Sequence, residues 1–209
     1  MTIKRIAILM TLMLALPGLA FAFEAGRDYQ AYDEPRRTTS GGQVEVTEFF
    51  AYSCPACRNF NQPFHDWLEE SGLDVNLVRV PIPLRAQDQA HPRAYFTARA
   101  LGVVDDVHDD IYVALHDENR TLGSENAFRS FFTERGVDAE AFDEAWNSRA
   151  VRTQTQRAMG TARDYGIRST PSVAVDGRYL VTGGQAGSQE RMLAVIEHLA
   201  EQRIAERAE

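Results

Sequence analysis

The only two cysteines of the chain, Cys54 and Cys57, stand three positions apart in the segment FFAYSCPACRNF, residues 49–60. A pair with this spacing can exchange electrons with other thiols, close a small structural disulfide loop, or supply two ligands to a metal ion. These chemistries place different demands on the rest of the chain, so the elements around the pair decide among them.

The segments around the cysteines have the pattern of a β-α-β unit. Residues 44–50 (VEVTEFF) form a β-rich run, and apolar residues recur at helical spacing in residues 55–70. Residues 75–82 are a second apolar, β-branched run. The cysteine pair therefore lies where a strand passes into a helix, and Pro55 suits the first helical turn, where its missing N–H costs nothing.

The pattern changes after this unit. From about residue 88 to residue 148 the chain shows only helical periodicity, and Ser124 and Asp138 are placed as N-cap residues of two of the helices. A longer helix is predicted over residues 151–165. This stretch therefore predicts a block of helices inserted after the β-α-β unit.

The chain then returns to strands. Residues 172–175 and 179–181 are short β-rich runs joined through Asp176-Gly177, a strong hairpin signal, and a last helix begins at Ser188. A β-α-β unit and a β-β-α unit thus flank the helical block. The predicted fold class is α/β.

The position of Cys54 at the start of a helix favours redox chemistry. Unpaired backbone N–H groups and the helix dipole stabilise a thiolate there, and they lower a thiol pKa from about 8.5 into the range of about 3.5–7.5. Cys57, one turn further on, is expected to be more buried. An exposed nucleophile beside a resolving thiol is the arrangement that thiol–disulfide exchange requires.

The alternatives for the pair find less support. A structural zinc site needs four ligands, and there is no second cysteine pair. The histidines are scattered, two of them (the third and fourth) on an acidic helix face: His65, His91, His108, His116 and His198. A structural disulfide closing so small a loop would stabilise little, because that stabilisation grows with loop length.

The first 22 residues have the pattern of a secretory signal peptide. Lys4 and Arg5 precede a short apolar run, residues 6–16, and Ala20-Phe21-Ala22 supplies the cleavage motif. The apolar run is shorter than the roughly 20 residues of a membrane-spanning helix. We therefore expect cleavage after Ala22 and export to an oxidising compartment.

Composition limits the classes of partner. The 209 residues carry a formal net charge of −8, and loss of Lys4 and Arg5 with the signal peptide makes the remainder two units more acidic. This charge argues against nucleic acid or an anionic membrane surface as a partner, since both require basic patches. The chain is long enough to rest on an ordinary hydrophobic core.

Together, the signal peptide, the junction EFFAYSCPAC and the later segment STPSVAVDGRYL resemble the DsbA-like thiol oxidases of the bacterial periplasm. This resemblance implies a thioredoxin fold with an inserted helical domain. The implied boundaries are residues 23–87 and 151–209 for the two parts of the thioredoxin fold and residues 88–150 for the insertion.

The resemblance also implies roles for individual residues. Pro171 would be a cis-proline facing the cysteines, and the backbone at Thr170 would pair with a bound peptide as an added strand. Pro55 and Ala56 would lie beside that peptide. Glu48 would be buried under the active site with a raised pKa, where it could relay a proton to or from Cys57.

The function implied is that of a disulfide oxidase, which donates the Cys54–Cys57 disulfide to unfolded or newly exported cysteine-containing proteins. A membrane DsbB-like, quinone-linked oxidase would recharge it, the protein would be monomeric, and no dissociable cofactor would be needed. One position departs from the family: Ala56 stands where the best-studied members have histidine, which puts the oxidising power in doubt. An isomerase or reductase of the same fold, or a non-enzymatic redox or metal carrier, remains as an alternative.

Overall fold

A computed structural model describes residues 23–208, so the predicted signal peptide, residues 1–22, lies outside the described residues. A single 3₁₀ turn, Ala86–Asp88, follows the third strand. The remaining elements, in chain order, are β1 Gln30–Ala31, β2 Val44–Phe50, α1 Pro55–Glu70, β3 Val75–Pro81, α2 Ala90–Leu101, α3 Val104–His116, α4 Glu125–Thr133, α5 Ala139–Asn147, α6 Arg149–Asp164, β4 Ser172–Val175, β5 Tyr179–Thr182, α7 Gly183–Ala186 and α8 Gln189–Ala208.

The five strands form one mixed sheet in the order β1-β5-β4-β2-β3. Strands β2 and β3 are parallel, while β4 runs antiparallel to both β2 and β5. Every residue of β2 is buried, because helices cover both faces of the sheet at this strand. The strand that leads into the cysteine pair is therefore held rigidly on both sides.

Two hydrophobic cores lie on opposite faces of the sheet. Val46 and Val173 share one core with apolar residues of α1 and α8, such as Phe64 and Ile196. Phe49, whose side chain points the other way, belongs to the second core together with the helical block. The helical block thus packs on the sheet and on the active-site end of the chain.

Side-chain caps mark where helices α4 and α5 of the helical block begin. The predicted N-cap residues Ser124 and Asp138 are confirmed: their side chains accept hydrogen bonds from the N–H groups of Ala127 and Ala141. The interior is largely aromatic and includes Phe128, Phe131, Phe132, Phe142 and Trp146.

The observed elements differ from the predicted ones in a few places. Helix α6 begins at Arg149, two residues earlier than predicted, because the side chain of Ser148 caps it by accepting from the N–H of Val151. Strand β1 and helix α7 were not predicted, since runs of two and four residues carry no periodicity. Among residues 23–208, no helix has both the length and the apolar character needed to cross a lipid bilayer.

Candidate active site

Cys54 is the N-cap residue of α1. Its backbone is extended (φ −96°, ψ 114°), and its sulfur accepts a hydrogen bond from the N–H of Cys57 at 3.4 Å. Pro55 occupies the first helical turn, as predicted. Buried strand β2 ends at Phe50, so a short loop carries the chain from the sheet to the sulfur. The sulfur consequently sits at the positive end of the helix dipole.

The pKa of Cys54 is lowered to about 5. The largest cause is a hydrogen bond from the thiol of Cys57, and the N–H groups of Cys57 and Ala56 at the helix end act in the same direction. Burial raises the pKa, but the hydrogen bonds together lower it by more. The predicted lowering is confirmed in direction, although the helix terminus, which sequence reasoning held responsible, is not the main contributor.

Cys57 behaves in the opposite way. The hydrogen bond that its thiol donates to the sulfur of Cys54, together with burial, raises its pKa well above the usual value, and the residue is only 1% exposed. In the reduced protein Cys54 therefore carries the negative charge at neutral pH, while Cys57 keeps its proton. This asymmetry separates a ready nucleophile from a poor one.

The expectation that Cys54 is an exposed nucleophile is wrong in degree. Its side chain is only 6% exposed, although the following Pro55 and Ala56 are exposed. The reason is a distant loop: Cys54 Sγ lies 3.4 Å from the carbonyl oxygen of Thr170. Access to the sulfur is therefore restricted to the side on which Pro55 and Ala56 lie.

That loop carries the predicted cis-proline. The Thr170–Pro171 peptide bond is cis, Pro171 is buried, and Thr170 is half-buried. The Ser172 hydroxyl donates to the carbonyl oxygen of Ser169 at 2.8 Å, which closes the turn before β4 begins. The structure thus brings Cys54, Cys57, Thr170 and Pro171 together at one end of the sheet.

Glu48 lies on β2 and is 1% exposed, so the predicted burial is confirmed. Burial raises the pKa of its carboxyl group. Arg79, its register partner on β3, opposes this shift by donating from Nε to Glu48 Oε2 at 3.2 Å. Sequence reasoning did not identify Arg79, although an arginine in an apolar strand was a visible signal.

Sequence reasoning also missed a buried polar network behind the cysteines. His108 was assigned to an acidic helix face, but it is 4% exposed and points into the protein. Its Nδ1 lies 2.8 Å from Tyr52 Oη and its Nε2 lies 3.0 Å from Asn61 Oδ1. Asn61 Nδ2 donates in turn to Asp109 Oδ1 at 2.5 Å.

This network connects three elements. Tyr52 precedes Cys54 by two residues, Asn61 belongs to α1, and His108 and Asp109 belong to α3 of the helical block. In addition, His116 Nε2 lies 2.8 Å from the carbonyl oxygen of Tyr52. The helical block therefore fixes both the loop before Cys54 and the helix after it. Within residues 23–208 no three His, Cys, Asp or Glu side chains cluster as metal ligands would.

The fold and the site define a class: a thioredoxin-fold protein with an inserted helical block, a C-x-x-C pair at a helix N-terminus and a cis-proline loop opposite. A family model described as a DSBA-like thioredoxin domain matches residues 45–192. The chain therefore belongs to the DsbA-like thioredoxin-domain family, and it is a thiol:disulfide oxidoreductase.

Individual relatives agree with this assignment. The thiol:disulfide interchange protein DsbA of Pseudomonas aeruginosa is 31% identical over 204 residues, which cover 95% of this chain and 97% of the relative. That of Burkholderia cepacia is 30% identical over 203 residues, 93% of this chain and 96% of the relative. The crystal structure of Pseudomonas aeruginosa DsbA superposes with a TM-score of 0.85 at 30% identity, covering 91% of this chain and 99% of that one. The family and the fold predicted from the sequence are confirmed.

Proposed function

We propose that this oxidoreductase acts as an oxidase, which introduces disulfide bonds into exported proteins through Cys54 and Cys57. The observation that supports this direction is the pKa of about 5 at Cys54. A stabilised thiolate stabilises the reduced form of the enzyme, and a stable reduced form makes the disulfide a strong oxidant. An isomerase or reductase attacks client disulfides with this thiolate, and a pKa nearer to 7 suits that role better, because nucleophilicity falls as the thiol pKa falls.

The reaction runs in two exchanges. A client thiolate attacks Cys54 Sγ of the enzyme disulfide, the Cys54–Cys57 bond breaks, and Cys57 leaves as a thiolate that takes up a proton. A second client thiolate then attacks the client sulfur of the mixed disulfide and releases Cys54 as a thiolate. The client loses two electrons and gains a disulfide, while the enzyme gains the two electrons as a dithiol.

The client is held by the loop opposite the cysteines. Thr170 and Pro171 form the edge against which an extended client segment pairs, because the carbonyl oxygen of Thr170 lies 3.4 Å from the reacting sulfur. Exposed Pro55 and Ala56 lie on the open side of Cys54 and contact the same segment. We thus assign Cys54, Cys57 and Pro171 to the catalytic centre and Thr170, Pro171, Pro55 and Ala56 to client binding.

Glu48 supplies the proton that Cys57 requires on leaving. Its carboxyl group is buried, and its raised pKa allows it to hold a proton at a pH where an exposed glutamate is ionised. Arg79 limits that shift, so the group can give up the proton and take it back.

The setting we propose follows from the family and from residues 1–22. The chain is exported to the periplasm with cleavage after Ala22, acts as a monomer on newly exported cysteine-containing proteins, and is recharged by a membrane DsbB-like quinone-linked oxidase. It needs no dissociable cofactor, because the Cys54–Cys57 disulfide carries the electrons.

Trapping of mixed disulfides tests the proposal. In exporting cells, Cys57→Ser should accumulate disulfide-linked client complexes, because the resolving thiol is gone, whereas Cys54→Ser should accumulate none. The wild-type pair should be found oxidised in the same cells by alkylation of free thiols. A wild-type pair found reduced, or complexes formed through Cys57, would reverse the assignment.

A further inference from the structure

Three clefts lie side by side along helix α6 and the loop that follows it. The first, of about 670 Å³, lies between α6 and residues Pro35 to Thr39, and the second, of about 580 Å³, reaches Ser169. These two share Arg36, and the second shares Arg163 and Arg168 with a third cleft of about 580 Å³. The three clefts therefore adjoin one another around α6. Together they are here called the arginine trough, whose basic residues are Arg36, Arg37, Arg157, Arg163 and Arg168.

The five arginines of the trough are exposed, and within residues 23–208 none of their side chains forms an ion pair. Other arginines are used differently: Arg191, for example, pairs with Asp28 at 2.5 Å. The one acidic residue lining the trough is Asp164. Asp33 and Glu34 line only a smaller neighbouring cleft, which also includes Arg36.

This local positive charge contrasts with the protein as a whole, whose formal net charge is −8. Arginines that form no ion pair attract carboxylates, and their forked donors match carboxylate geometry. Arg36 also lies over the ring of Tyr32, 4.7 Å from its centroid, which leaves its charge uncompensated. The trough also has apolar walls, formed by Ile82, Met159 and Ile167 in the third cleft. A polypeptide with both acidic and apolar side chains fits such a surface better than a bare anion.

The trough leads to the redox centre. Arg168 stands two residues before Thr170, whose carbonyl oxygen lies 3.4 Å from Cys54 Sγ, and Ser169 lines the second cleft. Arg157 and Arg163 are six residues apart on α6, about 9 Å along the helix axis and about 120° around it. Arg157 therefore lines the first cleft and Arg163 the second and third, so a bound segment that reaches both follows the clefts around the helix.

We propose that the arginine trough binds an extended acidic segment of the client polypeptide while the client cysteine reacts at Cys54. This inference rests on the proposed function and names a preference within it: acidic residues a few positions away from the reacting cysteine favour a client. The attraction raises the rate of encounter and weakens as salt screens the exposed charges.

Oxidation of matched peptides tests the preference. The oxidised full-length mature protein is mixed with a reduced two-cysteine peptide that carries three flanking glutamates, or with the same peptide carrying serines. At low salt the second-order rate constant should be about 3- to 10-fold higher for the acidic peptide, as expected for a few exposed charge pairs, and the ratio should approach one at 0.5 M NaCl, on the order of a 4 Å screening length.

Two double variants isolate the trough. Arg157→Gln with Arg163→Gln should bring the acidic-to-neutral ratio close to one. Arg99→Gln with Arg149→Gln removes the same charge from two exposed arginines outside the clefts and should leave the ratio as in the wild type.

The outcomes separate this inference from the proposed function. Equal rates of oxidation for the two peptides by the wild type would contradict the binding of acidic segments in the trough and leave the oxidase function supported. Failure to oxidise either peptide would contradict the oxidase function itself. Co-sedimentation with phosphatidylglycerol vesicles is the second arm. Vesicle binding that the Arg157/Arg163 variant abolishes, without any peptide preference, would assign the trough to a membrane surface and overturn the proposal.

Discussion

Tyr52 and His108 meet across the junction between the active-site loop and the helical block, with Tyr52 Oη 2.8 Å from His108 Nδ1. The direction of the bond follows from the neighbouring groups. Asn61 donates from Nδ2 to Asp109, so its oxygen faces His108, and His108 Nε2 must carry a proton to donate to it. Nδ1 is then the acceptor, and Tyr52 donates.

Loss of His108 should therefore destabilise the protein. His108→Leu leaves the Tyr52 hydroxyl and the Asn61 side-chain oxygen buried without partners, and each costs about 1–3 kcal/mol. We expect the free energy of unfolding to fall by roughly 2–5 kcal/mol in urea denaturation. The control is His65→Leu, at an exposed position on helix α1, which should change the free energy of unfolding by less than about 0.5 kcal/mol. A loss in His108→Leu no larger than in the control would mean that the network contributes little.

The thiolate at Cys54 should make the stability of the reduced protein depend on pH. The pKa is about 5 in the folded state and about 8.5 in the unfolded chain, so the stabilisation is fully present above pH 8.5 and is lost as the pH falls through 5. Between pH 5 and pH 7 it should grow by roughly 2 kcal/mol. Above pH 8.5 the raised pKa of Cys57 acts in the opposite direction, because the unfolded chain then releases that proton more readily.

Urea unfolding in the presence of a reductant measures this effect when Cys54→Ser serves as the reference at each pH. Other titrating groups are common to both proteins, so the difference between them isolates Cys54. A difference that stays constant from pH 5 to pH 7 would mean that the pKa of Cys54 in the folded protein is not below 7, and would contradict the stabilised thiolate.

Glu48→Gln should slow the release of Cys57 during the reaction with a client. The amide keeps the size of the side chain and can still accept from Arg79, but it cannot donate a carboxyl proton. Proton transfer by a placed side chain contributes on the order of 10²-fold or more, so we expect the rate to fall at least about tenfold and its dependence on pH between 5 and 8 to flatten.

Glu45→Gln is the matched control. Glu45 is also buried on β2, but it lies on the other face and accepts hydrogen bonds from Thr39, Ser40 and Thr47. Its replacement should lower stability and leave the pH profile of the rate unchanged. Identical profiles for the wild type and Glu48→Gln in stopped-flow fluorescence would exclude the proton relay.

Local sequence signals were sufficient for much of the fold. Strand β2 and helix α1 have the predicted bounds. The signals that define them are hydrophobic periodicity, a proline in the first helical turn and a capping side chain, and each of these depends on only a few neighbouring residues. The same local signals placed Cys54 at a helix end, a conclusion that needed only the neighbouring sequence. The burial of Glu48 was expected from the resemblance to the family.

Features that depend on distant segments could not be predicted in the same way. The cover over Cys54 comes from Thr170, 116 residues later, and the partner that moderates Glu48 is on the next strand. His108 is a different case: it lies three residues before buried Ile111, at helical spacing, so the signal was present. The neighbouring aspartates led to the opposite prediction, that His108 lies on an exposed acidic face.

Alanine at position 56, where the best-studied members of the family have histidine, should lower the reduction potential of the Cys54–Cys57 pair. Relative to histidine, alanine lacks one contact to the Cys54 thiolate, and a hydrogen bond to a charged group contributes about 1.5–3 kcal/mol. For a two-electron couple about 1.4 kcal/mol corresponds to 30 mV, so the loss lowers the potential by roughly 30–65 mV. Starting from the value of about −120 mV known for DsbA, we expect roughly −150 to −185 mV for this chain.

Ala56→His should raise the potential towards that of DsbA and lower the pKa of Cys54 at the same time, because both changes follow from one contact with the thiolate. Equilibration with glutathione buffers gives the potential, and thiolate absorbance gives the pKa. Asn59→His adds the same imidazole at an exposed position further along α1 and should change neither quantity. A wild-type potential near the value of about −270 mV for thioredoxin would contradict the oxidase and favour a reductase, since a disulfide of that potential accepts electrons too poorly to oxidise exported clients.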